Sequence, residues 1–134
     1  MSVRIPEKSL VVVADGHRAV LFRVEGKGDA LSLREERALT PQNLADESAS
    51  GVAPVEQSPR EHDEATFAKQ VMQALYQMKH AGQYDGLVLF ADPQTLGQMR
   101  QSMHKIVEDS LIESVAKSLA GRSGDEIAEA VRRL

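Results

Sequence analysis

The sequence predicts an α/β fold in which a mixed five-stranded sheet, with strand order 3-2-1-4-5, is covered by three helices. Two fully apolar runs, LVVVA at 10–14 and GLVLFA at 86–91, are typical of strands that are buried on both faces. The pair Asp15-Gly16 follows the first run and indicates a hairpin. A right-handed crossover through a helix then makes the fourth strand a parallel neighbour of the first.

The composition favours one compact domain over residues 1–134. The chain has 134 residues, of which 42% are hydrophobic and 27% charged, so it can bury one core but not two ordinary ones. Cysteine is absent, which excludes disulfides and thiolate metal sites. Because no apolar run is as long as a signal segment or a membrane span, we expect a cytoplasmic protein without membrane contact.

The net charge of −4 is concentrated in the middle of the chain. Residues 41–92 contain three basic and eight acidic residues, whereas residues 1–40 contain seven and six, and residues 93–134 contain six of each. The chain as a whole therefore lacks the basic surface of an autonomous nucleic-acid-binding protein, while a local basic patch remains compatible with the sequence.

The first three strands form an antiparallel unit. Residues 10–14 and 19–22 flank the Asp-Gly turn, and Leu31 and Leu33 alternate with polar residues in a third strand. Charged residues at 35–37 suit the edge of the sheet, because charges discourage pairing with other chains. Residues at about 40–60 show no period, and we expect a mobile loop there.

The remaining elements are three helices and a candidate fifth strand. Periodicity alone does not assign that segment to a strand or a helix. Ser58 and Glu61 fit a capping box for a first helix that begins between residues 59 and 63 and ends at Gly82. Asp92 fits an N-cap for a second helix that reaches about residue 106. Residues 111–117 suit either a strand or more helix. A last capping box joins Ser123 and Glu126.

This topology gathers polar side chains at one edge of the sheet, where the first and fourth strands end and the first helix begins. We call this set the polar edge; its candidates are Asp15, His17, His62, Asp63 and Asp92. Asp15, Asp63 and Asp92 resemble the carboxylate cluster with which nucleases hold Mg²⁺. Each also has a structural reason, in a turn, a helix dipole or an N-cap. We therefore expect no catalytic residue, no metal and no cofactor.

Three basic residues are candidates for contacts with phosphates or with a partner: Arg18, Arg100 and Lys105. The histidines do not form one site, because His80 and His104 fall toward the edge of the sheet opposite His17 and His62. No Gly-rich phosphate loop or nucleophile elbow is present in the sequence.

Three segments of the sequence resemble the bacterial host attachment protein family: LVVVADGHRA at 10–19, HDEATFA at 62–68 and LVLFADPQTLG at 87–97. The likeness continues through residues 98–121. This family, whose name records an association with attachment to host cells, is similar to the middle domain of archaeal and eukaryotic class I release factors. The resemblance implies a ribonuclease H-like topology and favours a fifth strand at 111–117.

The resemblance also limits the function. Release factors carry a Gly-Gly-Gln tip that places water at the peptidyl-tRNA ester, and this sequence contains no Gly-Gly-Gln. The resemblance therefore implies a binding module rather than an enzyme, with the ribosome or a translation-related protein as its partner. Two alternatives remain open: a metal-dependent nuclease or phosphoesterase that uses Asp15, Asp63 and Asp92, and a structural or regulatory homo-oligomer.

Overall fold

The five strands form one mixed sheet in the order 3-2-1-4-5, as the sequence predicts. The computed structural model describes residues 5–41 and 60–134, with side chains in the first helix described from residue 65 onward. The strands are β1 (Ser9–Ala14), β2 (Ala19–Glu25), β3 (Ser32–Leu39), β4 (Gly86–Ala91) and β5 (Leu111–Ala116). The predicted loop at about 40–60 and Ser58 of the predicted capping box lie almost entirely outside the described residues.

Four helices are described, together with a short 3-10 turn at Gly28–Ala30. They are α1 (Arg60–His80), α2 (Pro93–Gln101), α3 (Lys105–Ser110) and α4 (Gly124–Arg132). The start of α1 falls within the predicted interval, and Gly82 follows its end with the positive φ of 72° that a helix terminus favours. No helix in the described part of the chain is both long and apolar enough to span a membrane.

The two apolar runs lie side by side at the centre of the sheet. β1 pairs with β2 in antiparallel fashion and with β4 in parallel, and the parallel register aligns Ser9 with Gly86 and Ala14 with Ala91. All residues of both strands are buried. β5 adds a further parallel strand beside β4, so the undecided segment is a strand. The central strands thus end together at one edge of the sheet.

Successive side chains of these strands enter two separate cores. The first face of the sheet carries Leu10, Val12, Leu87 and Leu89, and it packs against apolar residues of α1, α2 and α3. The second face carries Val11, Val13, Val88 and Phe90, and α4 is the helix that covers it among the described elements. Within the described part of the chain, one face is therefore covered by three helices and the other by one.

The helix predicted to run from residue 93 to about 106 is broken, which is why the described residues form four helices where three are expected. α2 ends at Gln101, and His104 starts α3 by accepting a hydrogen bond at Nδ1 from the Ile106 N–H over 3.3 Å. Met103 and Ile106 pack against the first-face core on either side of the break. Their apolar spacing continues through the interruption, so periodicity alone does not reveal it.

A buried tyrosine joins the end of α1 to the start of β4. The hydroxyl of Tyr84 donates to the Leu75 carbonyl over 2.9 Å, and the side chain is fully buried. Burial raises the pKa of Tyr84 to about 12, and Ser110 acts in the opposite direction. The phenol is therefore held in its neutral form.

Alkaline pH is expected to destabilise the protein through Tyr84. Because the pKa is about 12 in the folded state and 10.0 in the unfolded state, the stabilisation is complete below pH 10 and is lost as pH rises to 12. Between these limits the wild type should lose about 2 kcal/mol more of its free energy of unfolding than Tyr84→Phe does. Urea unfolding across this range measures the difference, and equal losses in the two proteins would contradict it.

Candidate functional site

The structure places Asp15 and Asp92 at the same edge of the sheet. Each directly follows a central strand, and the last residues of those strands, Ala14 and Ala91, are partners in the register. Neighbouring strands lie about 4.8 Å apart, so the segments that follow β1 and β4 leave the sheet close together. Both aspartates are half-buried.

Asp15 organises the turn between β1 and β2. Its Oδ1 atom accepts hydrogen bonds from the backbone N–H groups of His17 and Arg18, each over 2.8 Å. The Asp15 N–H in turn donates to the Arg18 carbonyl over 2.9 Å. One carboxylate oxygen therefore serves the turn, which is the structural role that aspartate commonly has in such positions.

Asp92 is the N-cap of α2. Its Oδ2 atom accepts from the Thr95 N–H over 3.1 Å, and Pro93 occupies the first helical position, where no N–H is needed. The predicted cap is thus confirmed. Like Asp15, Asp92 uses one carboxylate oxygen to satisfy the backbone.

Replacing Asp92 by alanine should lower the free energy of unfolding by about 1 kcal/mol, because the Thr95 N–H loses its acceptor. Asn retains an acceptor oxygen without the charge, so Asp92→Asn should cost about 0.5 kcal/mol or less. Thermal and urea unfolding of both variants give the comparison. Equal destabilisation by Ala and Asn would show that the charge, rather than the cap, is what Asp92 contributes.

His62 and Asp63 belong to the first turn of α1, and their side chains lie outside those described. The helix has 21 residues, a length of about 30 Å, and it ends just before β4 begins. Its start therefore returns toward the edge at which β4 ends. Among the side chains that are described, no three His, Asp or Glu residues form a group that could hold a metal ion.

A cleft of about 250 Å³ opens beside Asp15 on the second face of the sheet. We call it the edge cleft. Its floor is apolar and consists of Val13, Val20, Phe22, Leu119 and Ile127. Its charged rim consists of Asp15, Arg18, Glu35 and Arg122, and the backbone at Ala120 and Gly121 completes the wall. The cleft thus combines residues of β1, β2, β3 and the turn after β1 with α4 and the segment that leads into it.

The three basic candidates do not come together. Arg18 lines the edge cleft, whereas Arg100 on α2 donates to the Ser114 hydroxyl over 2.6 Å. Lys105 on α3 pairs with Asp109 over 3.3 Å. Sequence reasoning missed Arg122 as a neighbour of Arg18, and it assigned Glu35 only to the edge of the sheet. No local pattern links these three residues, which are distant in the chain.

His80 and His104 lie together around Tyr76, at the ends of their helices. The rings of Tyr76 and His104 are 4.3 Å apart between centroids, and those of Tyr76 and His80 are 6.0 Å apart in an edge-on arrangement. The amino end of β4 follows directly after this end of α1. These two histidines therefore belong to the side of the sheet away from Asp15 and Asp92.

The architecture is that of an α/β protein with a mixed sheet whose two central strands are each followed by an aspartate, Asp15 in a turn and Asp92 as an N-cap. The chain belongs to the bacterial archaeo-eukaryotic release factor family 12, whose model matches residues 8–131. The predicted likeness to release factors is thereby confirmed, while the association with host attachment stays a prediction. No curated protein matches the chain.

Several solved structures are similar at low identity. RuvC of Thermus thermophilus is 15% identical with a TM-score of 0.42, and the match covers 79% of this chain and 61% of RuvC. The PPX-GPPA enzyme of Aquifex aeolicus is 12% identical with a TM-score of 0.45, covering 80% and 35%. An archaeal protein is 11% identical with a TM-score of 0.43, covering 93% and 36%. This chain thus spans less than two thirds of each.

Proposed function

We propose that this protein is a non-catalytic binding module that associates with the ribosome through its polar edge. The observation that carries the proposal is the match to a release factor family over residues 8–131, in a sequence without Gly-Gly-Gln. The match supports a partner in translation, and the missing tripeptide removes the group that would position water at a peptidyl-tRNA ester. The proposed role is therefore binding to the ribosome without hydrolysis of peptidyl-tRNA.

The charge of the polar edge favours a basic protein surface of the ribosome over its RNA. Asp15 and Asp92 each use one oxygen for the backbone, and the other oxygen accepts no hydrogen bond from the described residues. Residues 41–92, which include the start of α1, contain eight acidic and three basic residues. The carboxylates of Asp15 and Asp92 repel phosphates and attract cationic side chains.

Co-sedimentation with bacterial ribosomes tests this proposal. The wild type should pellet with ribosomes at low salt and be released as salt rises, because the attraction is electrostatic. The double variant Asp15→Asn/Asp92→Asn removes two charges but keeps both acceptor oxygens, so the fold is retained. We expect it to bind about 10-fold more weakly, at roughly 0.7 kcal/mol for each charge.

Asp29→Asn is the matched control, because Asp29 lies in the 3-10 turn beyond the opposite end of β2. It should bind ribosomes like the wild type. The proposal fails if the wild type stays in the supernatant, or if the double variant pellets as well as the control. Peptide release from peptidyl-tRNA on addition of the protein would contradict the non-catalytic role.

A further inference from the structure

We propose that the edge cleft binds a free α-amino acid with a large apolar side chain. The inference does not rest on the proposed ribosome association: it concerns a cleft on the second face of the sheet, which shares Asp15 with the polar edge. It follows from three properties of the cleft: its size, the arrangement of its charges, and the charged groups that have no partner among the described residues.

The size of the cleft suits a small ligand with an apolar part. Its volume of about 250 Å³ lies just below the range of pockets that take drug-sized molecules. Four floor residues, Val13, Phe22, Leu119 and Ile127, are buried, with exposures of 6% or less. An aliphatic or aromatic side chain placed on this floor would exchange water for apolar contact.

The rim of the cleft is balanced in charge. Arg18 and Arg122 supply two guanidinium groups, and Asp15 and Glu35 supply two carboxylates. A polyanion would be repelled by the carboxylates, and a simple cation would be repelled by the guanidinium groups. A zwitterion satisfies both sets, because its carboxylate and its ammonium group carry opposite charges on one small molecule.

Arg18 and Glu35 are the groups best able to hold the zwitterion. Both are exposed, and neither side chain makes a hydrogen bond or an ion pair with another described residue. The bond from the Arg18 N–H to Asp15 Oδ1 fixes the backbone from which the guanidinium extends. We assign the ligand carboxylate to Arg18, which can bind it through two parallel hydrogen bonds, and the ammonium group to Glu35.

Arg122 contributes less to ligand binding than Arg18, because its side chain already pairs with Glu126. Its Nη1 atom lies 3.3 Å from Glu126 Oε2, and its N–H donates to the Leu119 carbonyl over 3.0 Å. The Ser123 backbone N–H, together with the Arg122 and Ser123 side chains, holds the pKa of Glu126 below its ordinary value. This network fixes the wall of the cleft and leaves ligand recognition to Arg18, whose guanidinium has no partner among the described side chains.

Titration of the ¹⁵N-labelled protein with L-phenylalanine, followed by NMR, tests the proposal. Saturable shifts should appear at the amides of Arg18, Glu35 and Gly121. Three analogues each remove one part of the ligand: phenylalaninamide lacks the carboxylate, 3-phenylpropionate lacks the ammonium group, and glycine lacks the side chain. Each should bind about 10-fold more weakly than L-phenylalanine, as expected for the loss of one charged or apolar contact.

Two variants locate the charges. The Arg18→Gln variant should bind L-phenylalanine no more tightly than it binds phenylalaninamide. The Glu35→Gln variant should bind L-phenylalanine no more tightly than it binds 3-phenylpropionate. Arg34→Gln is the matched control, because Arg34 precedes Glu35 on β3, pairs with Glu25 over 3.1 Å and does not line the cleft. It should bind like the wild type.

Three results would overturn the proposal. The first is the absence of saturable shifts in the cleft with L-phenylalanine. The second is equal binding of L-phenylalanine and 3-phenylpropionate, which would indicate a site for the carboxyl end of a polypeptide instead. The third is a loss of binding in Arg34→Gln as large as that in Arg18→Gln, which would show that the effect is not local to the cleft.

Discussion

Replacing Phe90 by alanine is expected to lower the free energy of unfolding by about 3–5 kcal/mol. Phe90 is 1% exposed in the central strand β4, with Val13 of β1 and Val115 of β5 as its partners on either side. Removing the ring leaves a void that a sheet held by neighbours on both sides cannot close. For a domain of ordinary stability, this loss is about a third of the total.

Urea unfolding monitored by circular dichroism measures the effect. Val115→Ala is the control on the same face, because Val115 is only half-buried at the edge strand and should lose about 1 kcal/mol. A loss below about 1.5 kcal/mol for Phe90→Ala would mean that the second-face core is loosely packed at its centre.

Replacing Gly26 by alanine is expected to cost about 2–3 kcal/mol, combining left-handed backbone strain with a steric clash. Gly26 has a φ of 75° in the turn between β2 and β3, and an added Cβ would lie 2.5 Å from the Ala30 carbonyl oxygen. That oxygen belongs to the backbone, so relief requires the turn itself to move. The expected result is a lower midpoint in thermal unfolding.

Gly28 provides a matched control in the same turn. Its φ is 57°, but an added Cβ would meet nothing within 4 Å. Gly28→Ala should therefore cost only the strain, about 1 kcal/mol. If Gly26→Ala and Gly28→Ala lower the free energy of unfolding equally, the steric clash with Ala30 does not contribute to the cost.

Local signals account for most of the fold that the sequence predicts. The turn after β1, the N-cap of α2 and the capping box of α4 each depend on residues within four positions, and the structure forms all three, with Asp15, Asp92 and Ser123 as the acceptors. The parallel pairing of β1 with β4 follows from two fully apolar runs joined by a helical segment. These features need no knowledge of distant contacts.

The features that sequence reasoning missed depend on unusual caps or on distant contacts. His104 is an uncommon N-cap, so nothing marked the start of α3. The position of Glu35 on the rim depends on an irregularity in the pairing of β2 with β3, which aligns Leu21 with Arg37 but Phe22 with Glu35. A one-residue change in register moves a side chain to the other face, and the sequence carries no sign of this one.

The uneven covering of the sheet has a consequence for how the molecule opens. Among the described elements, α4 is the only helix on the second face, and the bond from Arg132 to the Leu31 carbonyl over 2.6 Å ties it to the end of the 3-10 turn. The helices α1, α2 and α3 share the opposite core. Detachment of α4 leaves that three-helix layer assembled. The amide protons of α4 should therefore exchange with solvent through a partial, subglobal transition, well before those of β1 and β4.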